Sequence, residues 1–91
     1  MNKRLHVYYS GSVQGVGFRF TAEHASSSLG LTGWVKNLMD GRVEVLCEGN
    51  VPDLKKFLEK MDSGFKSYLR DSDIEWSKPT GEFDGFEIRF F

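Results

Sequence analysis

The chain has 91 residues, 40% of them hydrophobic, and carries 12 Lys and Arg against 13 Asp and Glu for a formal net charge of −1. That length fits one domain with a modest core, and the apolar content excludes a disordered tail. The charge balance disfavours a nucleic-acid or membrane-surface protein, which would carry a basic excess, and the single cysteine, Cys47, excludes an intrachain disulfide and a cysteine-based zinc site.

Lys3 and Arg4 are not followed by a long apolar run, so neither a signal peptide nor a membrane-spanning helix is expected, and a reducing cytoplasmic setting is the simplest reading. Leu5, Val7, Tyr9 and Gly11 alternate with His6, Tyr8 and Ser10, which predicts a first strand with one buried face. A glycine-rich turn, Gly11 to Gly17, follows. The period then changes: Phe18, Ala22, Ala25 and Leu29 share one helical stripe, and Gly30 stands where a left-handed cap ends a helix. Leu31 to Leu38 reads as a second strand, with Leu31, Gly33 and Val35 on one face. Met39-Asp40-Gly41 is a hairpin signal.

Val43, Val45 and Cys47 mark a third strand. Asn50 and Pro52 open a second helix whose stripe is Leu54, Phe57, Leu58 and Met61, and Gly64 closes it. Ile74 and Trp76 lie in a fourth strand that stops before Pro79, and Phe86, Ile88 and Phe90 form the inner face of a last one. With no linker or repeat, residues 1–91 are expected to be a single domain. The order β-α-β-β-α-β, with a short extra strand, implies an α+β ferredoxin-like sandwich: an antiparallel sheet with both helices on one face. That fold hosts many functions and decides none.

Chemistry concentrates between Gly11 and Arg19. A strand-to-helix turn rich in glycine can point several amide N–H groups into one concavity, and the positive end of the helix adds to the same field. Arg19 opens that helix, where a cation opposes the dipole. A bound anion would compensate it, and a planar guanidinium meets two phosphate oxygens at once. The loop is not a P-loop, lacking Gly-Lys-Ser/Thr, and Gly15-x-Gly17 lacks the third glycine of a dinucleotide fingerprint. Taken alone, it reads more simply as a tight turn with a surface arginine.

The run Gly11-Ser12-Val13-Gln14-Gly15-Val16-Gly17-Phe18-Arg19 resembles the signature of the acylphosphatase family. Gly33-Trp34-Val35-Lys36-Asn37, followed by Asp40-Gly41-Arg42-Val43-Glu44-Val45, is similar to the family's second signature, and Phe86-Glu87-Ile88-Arg89 to its last strand. The resemblance spans nearly the whole chain. It implies the ferredoxin-like sandwich and hydrolysis of acyl phosphates without metal or cofactor. Arg19 is then the phosphate-binding catalytic residue and Asn37 the residue that positions the attacking water. The amides of Gln14, Gly15, Val16, Gly17 and Phe18 form the phosphate cradle. The implied partners are a small acyl phosphate and inorganic phosphate as product or inhibitor, with no nucleic acid or membrane, and a monomer is the default. Ser12 departs from the family, in which Lys or Arg is frequent there, and this bears on substrate affinity.

Without the resemblance, Asn37 would read as a turn residue ahead of a hairpin. His6 and His24 have no second ligand in sight, Cys47 reads as a buried inert thiol, and Trp34 and Trp76 as packing residues, Trp34 being placed to border the acyl side of the site. An RNA-binding module of the same element order would need aromatics on the third strand, and Arg42 to Glu48 has none. A non-catalytic anion binder would need the loop and Arg19 but no water-positioning group. A metal chaperone of this fold would need a cysteine pair.

Overall fold

The computed structural model describes residues 1–90. Seven elements follow in order: β1 (Asn2–Gly11), α1 (Phe18–Ser28), β2 (Thr32–Asn37), β3 (Val43–Asn50), α2 (Val51–Gly64), β4 (Leu69–Ser77) and β5 (Phe86–Arg89). The strands form one sheet in the order β4-β1-β3-β2-β5. The alternation in β1 sends Leu5, Val7 and Tyr9 into the core, where they meet Val35, Val43, Val45 and Cys47 from the neighbouring strands. Their partners in register, such as Val7 opposite Val45 and Leu5 opposite Cys47, put one continuous apolar face under the helices.

Both helices lie on that face. α1 packs over β2 and β5, and α2 over β3 and β1. Of the stripes read from the sequence, Phe18, Ala22 and Ala25 in α1 and Leu54, Phe57 and Met61 in α2 are buried, while Leu29 and Leu58 are half-buried and pack against the core's edge. Gly30 follows α1 with φ +71°, and Leu31 N–H returns to the Ser26 carbonyl at 2.9 Å, closing the helix as its sequence predicts. Ile74 and Trp76 are in β4 as expected. They oppose Val7 and Leu5 on the helix side of the sheet, yet remain 41% and 39% exposed because neither helix extends over this edge strand. Cys47 is fully buried, and burial pushes its thiol up to about 12, which keeps it an inert core atom.

The sheet is mixed and not wholly antiparallel. β1–β3, β1–β4 and β2–β3 pair antiparallel, but β5 runs parallel to β2. The segment 78–85 crosses the end of the sheet from one edge to the other and reverses the chain, so β5 runs opposite to β4 and in the same direction as β2. It arrives beside the start of β2, where Gly33 N–H donates to the Gly85 carbonyl at 2.9 Å.

Glu48 pins this crossing. Its carboxylate accepts from Arg4 Nε at 2.7 Å, Thr80 N–H at 2.9 Å, the Thr80 hydroxyl at 3.1 Å and Gly81 N–H at 2.9 Å. Burial alone would raise the Glu48 pKa. The hydrogen bonds from Thr80, Gly81 and Arg4 outweigh that and hold it at about 2. Phe90 also differs from expectation. β5 ends at Arg89, so Phe90 lies past the last ladder bond and is 73% exposed instead of on the inner face.

Candidate active site

The loop from β1 to α1 is anchored at both ends. Ser12 N–H donates to the Tyr68 carbonyl at 2.9 Å, and Val13 is completely buried in the core. Between these anchors and the helix, Gly15 and Gly17 adopt φ +78° and +81°. A Cβ at either would meet nothing within 4 Å, so glycine is needed here for its left-handed backbone and not for close approach. The two reversals turn the chain so that α1 begins at once, with Gly17 as its N-cap.

Gly17 has no side chain to accept from the first helical amides, and the first turn holds no acidic residue. Among the described residues, none of the N–H groups from Gln14 to Phe18 donates to a backbone acceptor. The helix end is therefore a concentration of free donors carrying about half a positive charge.

These groups open into a cavity of about 220 Å³ lined by Val13, Gly15, Gly17, Phe18, Arg19, Phe20 and Asn37. Arg19 and Asn37, 18 positions apart in sequence, thus line one pocket. Asn37 ends β2 on the same side as Val35, which is fully buried, so the pleat sends its carboxamide beneath the loop. Its Oδ1 is buried and has no hydrogen-bond partner among the described residues. A buried carbonyl oxygen left unpaired costs roughly 1–3 kcal/mol, so this atom is short of a donor. The Arg19 guanidinium lies over the Phe90 ring, 5.3 Å from its centroid, a contact that limits the directions it can take.

Two of the expected cradle residues have other roles as well. Gln14 and Val16 do not line the cavity; Val16 packs against the core. The Gln14 side chain donates to the carbonyls of Leu38 at 2.8 Å and Arg42 at 3.0 Å, which flank the β2–β3 turn. It straps the loop to the hairpin that carries Asn37. Asp40 holds the same turn from the other side, its carboxyl lowered below the usual range by the Arg42 backbone N–H and guanidinium.

Trp34 does not border the site. It alternates with Asn37 onto the open face of the sheet, beneath Lys36 Nζ and the Arg89 guanidinium. Phe20 does line the cavity, and sequence reasoning missed it. Its only signal was a large aromatic placed off the apolar stripe of α1. A larger depression of about 340 Å³ beside the 78–85 crossing is lined by Glu82, Asp84 and Glu87, with Arg89 the only cation on its wall among the described residues. Those carboxylates would repel a phosphate, so size does not choose the site here.

An α+β sandwich that joins free helix-end amides, a guanidinium and a carboxamide in one small pocket has the donor set of an anion-binding hydrolase. The acylphosphatase family profile matches residues 5–88. An acylphosphatase of Roseiflexus sp. (strain RS-1) is 46% identical over 87 residues, 93% of this chain and 92% of that one. One from Haloarcula marismortui is 41% identical over 88 residues, covering 96% of each. The crystal structure of acylphosphatase from Bacillus subtilis superimposes with a TM-score of 0.90 at 34% identity, covering 97% of this chain and 99% of that one. The chain belongs to the acylphosphatase family and is a hydrolase of acyl phosphates.

Proposed function

We propose that Arg19 and the amides of Gln14 to Phe18 hold the phosphoryl group, and that Asn37 aims the attacking water at it. The observation that carries this reading is that Asn37 lines the same cavity as Arg19 while its Oδ1 has no hydrogen-bond partner among the described residues. With its carbonyl oxygen turned toward the cavity, the Asn37 carboxamide accepts a hydrogen bond from water and leaves a lone pair of that water free to attack phosphorus.

The chemistry needs little more. An acyl phosphate is a mixed anhydride whose leaving carboxylate has a conjugate-acid pKa of roughly 4. It departs with the P–O bonding pair without being protonated, so no general acid is required. The new bond forms between water oxygen and phosphorus as the old P–O bond breaks. The water proton passes to a phosphoryl oxygen, whose second ionisation lies near pH 6 or so. What remains for the protein is position and charge: amides and guanidinium on the equatorial oxygens, the carboxamide on the nucleophile. Neither metal nor cofactor has a step to supply. The reading extends to residues 1–91 as one acylphosphatase-like domain, monomeric and cytoplasmic, with no nucleic-acid or membrane partner. Glu44 and Glu48 on the open face of β3, where an RNA-binding sheet would offer rings, support the last point.

The test is hydrolysis of benzoyl phosphate in the presence of a chelator. The expected result is turnover unchanged by EDTA and competitive inhibition by inorganic phosphate. Turnover that disappears with the chelator, or inhibition that is not competitive, would remove the metal-free cradle.

A further inference from the structure

The phosphoryl half of the substrate has a pocket; the acyl half needs one. A cavity of about 220 Å³ lies below the ~300–1,000 Å³ typical of sites that enclose a whole small ligand. Once a phosphoryl group and water occupy it, little room is left and an extended acyl chain passes the rim. Phe20 forms that rim. It lines the cavity one residue beyond Arg19 yet is 72% exposed, with its ring turned away from the helix stripe that Phe18 anchors in the core. Scattered exposed apolar side chains are ordinary, but this one stands at the mouth of the site. A second exposed ring, Phe90 at 73%, lies against the Arg19 guanidinium. Arg19 is the only charged residue lining the cavity among the described residues. With that cation engaged by phosphate, no lining group is left to recognise a second negative charge on the acyl chain.

We propose that Phe20 is a specificity-determining residue that receives the acyl group, and that the enzyme favours acyl phosphates with extended or aromatic apolar acyl chains over short or additionally anionic ones. This rests on the phosphoryl-binding assignment above. Phe20 contributes through contact with the leaving half of the molecule and not through the phosphoryl transfer itself. Its effect should therefore scale with acyl size and leave the affinity for inorganic phosphate alone.

The experiment compares acetyl, butyryl and hexanoyl phosphate, whose carboxylates leave with similar ease. Each added methylene that packs on the ring should improve kcat/KM by about two- to fourfold, the upper figure corresponding to full burial. The wild type should then prefer hexanoyl over acetyl phosphate by more than about tenfold. Phe20→Ala should compress that ratio to below about threefold, Phe20→Leu should keep most of it, and both should retain the wild-type inhibition constant for inorganic phosphate. A flat series in the wild type, an unchanged slope in Phe20→Ala, or a phosphate constant that worsens as much as the hexanoyl KM would overturn the assignment of Phe20. No turnover on any member would instead overturn the hydrolase reading beneath it.

Discussion

The two helices begin at opposite ends of the sheet, and they begin differently. At α2, Asn50 accepts from Asp53 N–H at 2.9 Å, Pro52 occupies the first turn where no amide is needed, and Asp53 adds a negative charge beside the positive helix end. The neighbouring Glu48 is likewise surrounded by donors. At α1 the cap is a bare glycine, the first turn has no acid, and its charged member is Arg19. Nearby, the Asn37 carbonyl oxygen is buried without a partner. One end is satisfied internally and serves stability. The other withholds its own capping groups, and in the proposed reading an external anion completes it. Local rules of helix construction are thus broken where the proposed site lies and kept at the other helix.

The largest effect that would break this contrast is expected at Arg19. Arg19→Lys keeps the charge but loses the fork that spans two oxygens, and kcat/KM should fall about a hundred- to a thousandfold. Near-normal turnover in that variant would show that a point charge is sufficient and the geometry is not used.

The satisfied end should respond in stability and not in rate. The folded Glu48 pKa of about 2 lies below the ordinary glutamate value near ~4.3. The ionised form is therefore favoured by folding, on the order of 2–3 kcal/mol at neutral pH. That contribution is complete above about pH 5 and is lost as pH falls through the interval toward 2. Glu48→Gln should destabilise by a similar amount at pH 7 in urea unfolding, with the difference shrinking by more than half near pH 3, while kcat stays within about twofold. A difference independent of pH would mean that the carboxylate's charge is not what pins the crossing.

Gln14 should give the smallest effect and sharpen the picture. Gln14→Leu removes two hydrogen bonds between the loop and the hairpin, about 1–2 kcal/mol of stability. It also frees the distance between the cradle and Asn37, and kcat should drop about tenfold. A variant that loses stability but keeps kcat would reduce the side chain to scaffolding.

How much of this was legible in the sequence depended on distance along the chain. Helix stripes, the Asn50–Pro52 start, the Gly30 stop and the alternation in β1 are local patterns, and the structure has them. The parallel pairing of β5 with β2 depends on a crossing held by Arg4, Glu48 and Thr80, which lie far apart in sequence, so no local pattern announces it. At the site, the Gly15–Gly17 turn and the misplaced cation of Arg19 were visible as an anion-binding hypothesis. Asn37 was visible only through family resemblance, because an asparagine before a hairpin is ordinary turn chemistry; its unpaired oxygen is a fact of tertiary structure. Phe20 escaped because a residue off the apolar stripe looks like surface, and Gln14's strap spans 24 and 28 positions.

The most direct measurement is Asn37→Ala, comparing kcat on benzoyl phosphate with the inhibition constant for inorganic phosphate. If the carboxamide aims water at a phosphoryl group held by other residues, kcat falls at least about a hundredfold while phosphate binds as before. If kcat holds, or if phosphate affinity is lost in step with it, then residue 37 does not direct the nucleophile and the division of labour described here is wrong.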